Sequence, residues 1–350
     1  MIKTIIAGPC SVESRERLRQ VTEALAAMPR VGLIRAGVWK PRTRPGGFEG
    51  LGEQALRWMR DLAAEFGVSY CCEVATPEHV VLCQRYGIDT VWVGARTSGN
   101  PFMVGELCQA LRGSNMKVLV KNPTSPDVGL WIGAIERLRQ AGVSDVSAVH
   151  RGFSTYHTLR ASAGSQRASY RNTPLWEVPM TLRREMPDVP LLCDPSHMAG
   201  RRDLVAPLVR MAAQFDYDGL MVEVHPDPDS ALTDAPQQLT PLDFAAMLDG
   251  MAPLEASTVP APQLEPMRRQ IDEIDHEMLA LLARRMEMSR QIAFIKRDLR
   301  MPVYQSGRWA DVVADRLGQA AELGLDADFT RALLEKIHAE SMRVQLADKV

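Results

Sequence analysis

No stretch of this sequence is apolar for long enough to cross a bilayer, so no membrane partner is expected. Its formal net charge is only −2 and it has no long basic run, which leaves no electrostatic case for nucleic acid. The opening residues MIKTIIAGPC run straight into a strand pattern without a cleavable leader, and the six cysteines show no paired spacing. Both features suggest a reduced, cytoplasmic protein rather than a disulfide scaffold. Cys71, Cys72, Cys83, Cys108 and Cys193 read as core fillers. Cys10, in a Gly/Pro loop, does not. With 46% hydrophobic residues over 350 positions, the chain can bury one large core and a smaller one.

Eight short apolar runs alternate with amphipathic segments: Thr4–Ala7, Leu33–Ala36, Ser69–Val74, Thr90–Val93, Lys117–Lys121, Val146–Val149, Leu191–Cys193 and Gly219–Val224. The segment Arg202–Phe215 is one of the intervening helices, with Leu204, Leu208, Met211 and Phe215 at helical spacing. Strands apolar on both faces, each followed by a helix, predict an α/β fold with a wholly parallel sheet. Eight units in residues 1–250 fit a (β/α)8 TIM barrel, with an open doubly wound sheet as the alternative. Residues 251–263 read as a linker, within a proline-rich stretch that runs from Met251 to Pro266. Residues 264–350 carry no strand signal and predict a small all-α domain of three helices, Pro266–Leu299, Arg308–Leu323 and Asp326 to the end. Ile271, Ile274, Met278, Leu281, Leu282, Ile292 and Ile295 form its apolar seam. Three such helices bury little alone, so a homodimer through this part is expected.

His197, Glu223 and Asp234 are spaced 26 and 11 residues apart, Glu223 at the end of a strand and the others in polar loops. With Cys10 they make a candidate four-ligand site for a divalent first-row ion. Every strand has a polar residue at or just past its C-terminal end, the rim where barrels collect their chemistry. Beyond the four ligands these are Lys40, Arg42, Glu73, Arg96, Lys121, His150, Arg151 and Asp194. Five of them are cations gathered at one mouth, which would repel one another unless they bound anions such as phosphate.

These residues lie in GPCS (8–11), KPRT (40–43), GAR (94–96), the Lys121 strand, HRG (150–152), DPSH (194–197), EVHPDP (223–228) and LTDAPQQL (232–239). In that order the first 250 residues resemble the type Iβ 3-deoxy-D-arabino-heptulosonate 7-phosphate (DAHP) synthases. The resemblance implies condensation of phosphoenolpyruvate with erythrose 4-phosphate, dependent on a metal held by Cys10, His197, Glu223 and Asp234. Manganese is the first expectation, with zinc, iron or cobalt as alternatives. Arg96, Lys121 and Arg151 would hold phosphoenolpyruvate with Lys40 near its carboxylate, and Arg42 and Thr43 would take the sugar phosphate. Glu73 and Asp194 would orient water and sugar hydroxyls, and Gly94, Ala95 and His150 would line the substrate. Arg44 departs from the small hydroxyl residue frequent after KPRT. The sister reaction, giving 3-deoxy-D-manno-octulosonate 8-phosphate, is the alternative; KPRT weighs against it.

In the tail, Arg285 and Lys296 fall within about 20° of each other around a helix, while Arg268 lies about 100° round from Arg285. Residues 264–350 resemble the all-helical chorismate mutases in MRRQIDEID (267–275), LLARR (281–285), Lys296, Arg308 and ESMRVQ (340–345). The resemblance implies rearrangement of chorismate to prephenate at a site of Arg285, Lys296, Arg308, Ser341 and Gln345, with Arg268 from a partner chain. Such a site needs cations for two carboxylates and donors for the ether oxygen. Trp309 and Gln305 stand where many members carry acids, so a carboxylate for the substrate hydroxyl is missing. A sensor or dimerisation module without turnover is the alternative, and feedback on the barrel through the tail is expected.

Overall fold

The apolar runs of the first 250 residues become eight parallel strands: Thr4–Gly8 (β1), Leu33–Arg35 (β2), Tyr70–Val74 (β3), Thr90–Val93 (β4), Lys117–Lys121 (β5), Val146–His150 (β6), Leu191–Cys193 (β7) and Gly219–Glu223 (β8). They close in sequence order, β8 pairing back onto β1. The computed structural model describes residues 2–40, 46–155, 170–251 and 264–347. Arg42, Thr43 and Arg44 therefore lie outside the described residues, as does most of the expected linker. Two compact units divide between Ala256 and Ser257.

The helices of the first unit are Arg15–Ala26 (α1), Glu53–Phe66 (α2), Pro77–Arg85 (α3), Ala95–Ser98 (α4), Pro101–Leu111 (α5), Val128–Gln140 (α6), Glu177–Glu185 (α7), Pro195–Ala199 (α8), Val205–Gln214 (α9) and Pro241–Asp249 (α10). Several begin at a side-chain cap. Ser14 caps α1 and Thr76 caps α3, each accepting a backbone N–H from three residues on. Asp194 does the same for α8. The expected helix from Arg202 to Phe215 is instead a 3-10 turn, Arg202–Leu204, followed by α9. Val205, Leu208, Val209 and Ala212 of α9 are buried. Full burial of a Val or Leu side chain is worth roughly 1.5–3 kcal/mol, so this face fixes the helix against the sheet.

Register places the rim residues. Gly8 pairs with Glu223, which brings the loop carrying Cys10 beside the end of β8. Glu73 pairs with Trp92, and His150 with Cys193. Gly8 has φ +147°, and a Cβ there would lie 2.1 Å from the carbonyl oxygen of Arg35. Only glycine lets β1 approach β2 so closely before the chain turns to Cys10.

The second unit comprises Leu264–Asp298 (α11), Ser306–Glu322 (α12) and Ala327–Ala347 (α13). Pro266, where the sequence starts this helix, sits inside the first turn of α11, where a missing N–H costs nothing. The buried set is small: Ser289 and Ala293 of α11, Val313 and Ala320 of α12, and Thr330, Ser341, Val344 and Gln345 of α13. Met267, Ile271, Ile274, Met278 and Leu281 recur at alternating steps of four and three, and each is more than half exposed.

Candidate active sites

At the C-terminal mouth of the barrel, donor atoms of Cys10, Glu223 and Asp234 lie within 4.8 Å of one another. Asp234 has a left-handed backbone (φ 47°), and its carboxylate is held from two sides. Lys40 Nζ donates to Oδ2 at 2.8 Å and Arg171 Nη1 to Oδ1 at 2.9 Å. Lys40 Nζ also lies 2.7 Å from Cys10 Sγ, so one ammonium bridges the thiol and the carboxylate. The Cys10 backbone N–H donates to Gln238 Oε1, and Gln237 Nε2 donates to Glu223 Oε2 at 2.6 Å. Glu223 Oε1 is buried and has no hydrogen-bond partner among the described residues.

His197 stands beside this trio rather than within it, with Nε2 3.6 Å from Glu223 Oε1. Its Nδ1 is 3.0 Å from Asp194 Oδ1. A carboxylate behind one ring nitrogen selects the tautomer that leaves the other free to ligate. A thiol, an imidazole nitrogen and two carboxylates, one with a buried oxygen that is ion-paired to Arg35 but accepts no hydrogen bond among the described residues, fit a borderline divalent ion.

Charge follows from burial and neighbours. Burial raises the Cys10 thiol pKa, and Glu223 adds to the effect, while Lys40 works against it. For Lys40 burial acts downward, yet the charges of Cys10 and Asp234 raise its pKa overall. Burial would raise the pKa of Asp194, but His197 and Lys121 hold it well below the ordinary range. An ion bound here must therefore displace a proton from sulfur.

The cations line the same mouth. Lys121 donates to Asp194 Oδ2 at 2.8 Å and lies over the Trp92 ring. Arg151 is pinned by Asn172 Oδ1 at 2.7 Å, and Asn172 in turn donates to the carbonyl of His197. Burial, with Arg171 and Arg96 nearby, lowers the Arg151 pKa to about 10. Asp194 and Asp234 work against that fall, and the guanidinium stays protonated at neutral pH. Ala95 opens α4, which carries Arg96. Glu73 Oε2 accepts from Trp92 Nε1 at 3.0 Å, and a Cβ on Gly94 would lie 2.2 Å from Glu73 Oε1. Gly94 thus makes room for that carboxylate.

His150 departs from its expected part. Nδ1 is bonded to Tyr217 Oη at 2.8 Å and Nε2 to the Pro174 carbonyl at 2.6 Å, amid Trp131, Phe153 and Trp176. Burial lowers its pKa to about 3. With both nitrogens engaged it supports the wall rather than lining the substrate. Asp194, expected to orient water, has its oxygens engaged by Lys121 and His197.

Arg35, passed over in the sequence, is 2% exposed at the end of β2. Its Nη2 is 3.1 Å from Glu223 Oε1, its guanidinium lies over Trp92, and Nε and Nη1 have no hydrogen-bond partner among the described residues. A charge inside the apolar run LIRA was the available signal. Arg171 and the glutamine pair of LTDAPQQL were also missed.

In the helical unit, Arg285 Nη1 donates to Ser341 Oγ at 2.8 Å, and Ser341 Oγ is 2.6 Å from Ser289 Oγ. Lys296 Nζ donates to the Val303 carbonyl at 2.6 Å. Lys296, Arg297, Arg300, Val303 and Gln345 line a cavity of about 280 Å³. Gln345 Oε1 is buried without a partner among the described residues. Arg308 is exposed on α12, and Arg268 is exposed and paired with Glu265. Seventeen residues of helix separate Arg268 from Arg285, about 25 Å along the axis. One chain does not bring those two together.

Residues 3–253 match the DAHP synthetase I family, and residues 267–346 match chorismate mutase type II. The phospho-2-dehydro-3-deoxyheptonate aldolase of Thermotoga maritima is 34% identical over 236 residues, covering 67% of this chain and 65% of that protein. The chain thus spans just under two thirds of that relative's length. A 2-dehydro-3-deoxyphosphooctonate aldolase of Agrobacterium fabrum is 24% identical over 275 residues, covering 73% and 90%. The crystal structure of the Thermotoga maritima aldolase, a DAHP synthase, superposes with a TM-score of 0.61 at 33% identity, covering 70% of this chain and 67% of that one. A truncated form of 3-deoxy-D-arabino-heptulosonate 7-phosphate synthase from Thermotoga maritima gives 0.58 at 30%, covering 70% and 84%. Barrel, rim and family match agree: the chain belongs to the DAHP synthetase I family, and a chorismate mutase type II domain follows its barrel in sequence.

Proposed function

We propose that the barrel condenses phosphoenolpyruvate with erythrose 4-phosphate, releasing phosphate, and that the helical unit rearranges chorismate to prephenate. One observation carries the first reading. Cys10, Glu223 and Asp234 converge within 4.8 Å beside a mouth lined by Arg35, Lys40, Lys121 and Arg151. Cys10, His197, Glu223 and Asp234 would hold a divalent ion, manganese by preference. When bound, that ion supplies Lewis acidity to the sugar aldehyde. The protein's own part is positioning and charge. Lys121 and Arg151, with Arg96 and Arg35, hold the phosphate and carboxylate of phosphoenolpyruvate, so its C3 is aimed at the aldehyde. Lys40 balances the carboxylate, and Arg42 and Thr43 take the sugar phosphate. Glu73, steadied by Trp92, orients the water that adds at C2.

In the tail, Arg285, Lys296 and Arg308 answer two carboxylates, and Lys296 and Gln345 face the ether oxygen as its bond breaks. Arg268 comes from a second copy. Five seam residues, each more than half exposed, would contribute roughly 1 kcal/mol apiece on full burial, or about 10 kcal/mol over two chains. That supports a homodimer formed along α11. The proposed reactions are steps of one pathway, which supports feedback on the barrel by the tail's ligand.

The test is turnover of both reactions with and without a chelator. Condensation fails and rearrangement persists; condensation by a demetallated sample overturns the metal reading. A preference for arabinose 5-phosphate over erythrose 4-phosphate would reassign the barrel to its sister reaction. Chorismate binding without turnover would leave the tail a sensor, and inhibition by prephenate surviving deletion of residues 254–350 would refute the feedback reading.

A further inference from the structure

The acid missing beside Arg308 leaves the tail site without a partner for a substrate hydroxyl, and what replaces it is an aromatic pair. Trp309 stacks on the imidazole of His338, with ring centroids 4.0 Å apart and planes 13° off parallel. Tyr304 abuts the same imidazole at 6.0 Å, one residue beyond the Val303 carbonyl that holds Lys296. On α13, His338, Ser341 and Gln345 stand at i, i+3 and i+7, which is one helix face. Ser341 meets Arg285 on this face. His338 Nε2 is buried and, like Gln345 Oε1, has no hydrogen-bond partner among the described residues. Two buried, unpartnered polar atoms on the face that meets Arg285 and Lys296 are costly unless a ligand completes them.

Burial, then the charges of Arg285 and Lys296, lowers the His338 pKa below its ordinary value, so the ring is neutral at pH 7. A neutral imidazole suits an alcohol, because it can donate to or accept from the hydroxyl. The two carboxylates are left to the arginines and the lysine.

We infer that His338, held flat by Trp309, is the residue that recognises the substrate hydroxyl in the tail site. The inference rests on the chorismate reading above. It makes His338 a binding residue engaged equally before and during bond rearrangement. Losing it should raise KM and leave kcat nearly unchanged.

The test is steady-state rearrangement by the full chain with His338→Phe, His338→Asn and Trp309→Leu. His338→Phe should raise KM for chorismate about tenfold with kcat within about twofold. His338→Asn, which keeps a donor and an acceptor, should recover most of the loss, and Trp309→Leu should lose part of it. An analogue lacking the ring hydroxyl should be handled alike by wild type and His338→Phe. If the variant loses as much with that analogue as with chorismate, or if KM does not move, the role is structural and the inference falls. Failure of the chorismate reading looks different, since wild type would neither rearrange chorismate nor bind prephenate in calorimetry. That result overturns both.

Discussion

Asp194 holds His197 twice: Oδ1 accepts the backbone N–H of His197 at 3.1 Å and stands 3.0 Å from its ring Nδ1. One carboxylate thus starts α8 and sets the tautomer of the imidazole that α8 carries. Asp194→Asn keeps the cap but not the charge behind the ring. Metal affinity should fall about 10–100-fold, the usual cost of losing such a partner. A competition titration against a chromophoric chelator reads this directly; unchanged affinity would remove Asp194 from the metal's support.

Cys10→Ser leaves a poor ligand in place of sulfur. The cobalt-loaded variant should lack the near-ultraviolet thiolate-to-metal band that wild type shows, and condensation should drop by at least about 100-fold. Rearrangement in the tail should stay at the wild-type rate. A persisting band would place the sulfur elsewhere.

Arg35→Lys preserves charge beside Glu223 but removes the fork over Trp92. Bidentate anion contacts are not reproduced by an ammonium, so kcat/KM for phosphoenolpyruvate should fall about 10–100-fold. The value for erythrose 4-phosphate should change far less. Equal losses for both substrates would mean that Arg35 serves only the fold.

His150 links stability to pH. Its folded pKa of about 3 lies below the unfolded value near 6.5, so between these limits the unfolded chain binds more protons. Stability is therefore full above about pH 6.5 and is lost as pH falls towards 3. His150→Phe should flatten this part of the profile in urea unfolding between pH 4.5 and 7. It should also cost stability at pH 7 through the lost bonds to Tyr217 and Pro174. An unchanged acid slope would count against the assignment.

The dimer reading has its own signature. Arg268→Ala and Arg285→Ala should each abolish rearrangement, but mixing the two should restore about a quarter of wild-type activity. Half the dimers are then mixed, and each mixed dimer holds one intact site. No recovery after subunit exchange would mean that Arg268 does not cross between copies.

Much of this protein could be read locally. Short runs apolar on both faces, alternating with one-sided helices, lead to a parallel sheet covered by helices, and eight such units in about 250 residues favour its closure into a barrel. Polar residues at the strand ends named the rim, and the tail's helices followed from period and proline. What local pattern could not supply was the partner of each side chain. Arg35 looked like an interruption of an apolar run, and only closure of the barrel set it against Glu223, 188 positions away. His150 looked like a rim residue until packing tied both nitrogens to Tyr217 and Pro174.

By itself, then, the sequence determined the fold class and named the candidate residues at the strand ends. These depend on periodicity and on chemistry at strand ends, both local properties. The tertiary structure alone decided that Lys40 bridges Cys10 and Asp234, that Arg171 braces Asp234 and Gln237 braces Glu223, and that Trp309 lies flat on His338. Those choices depend on strand register and helix packing, which bring together positions no pattern in the chain connects.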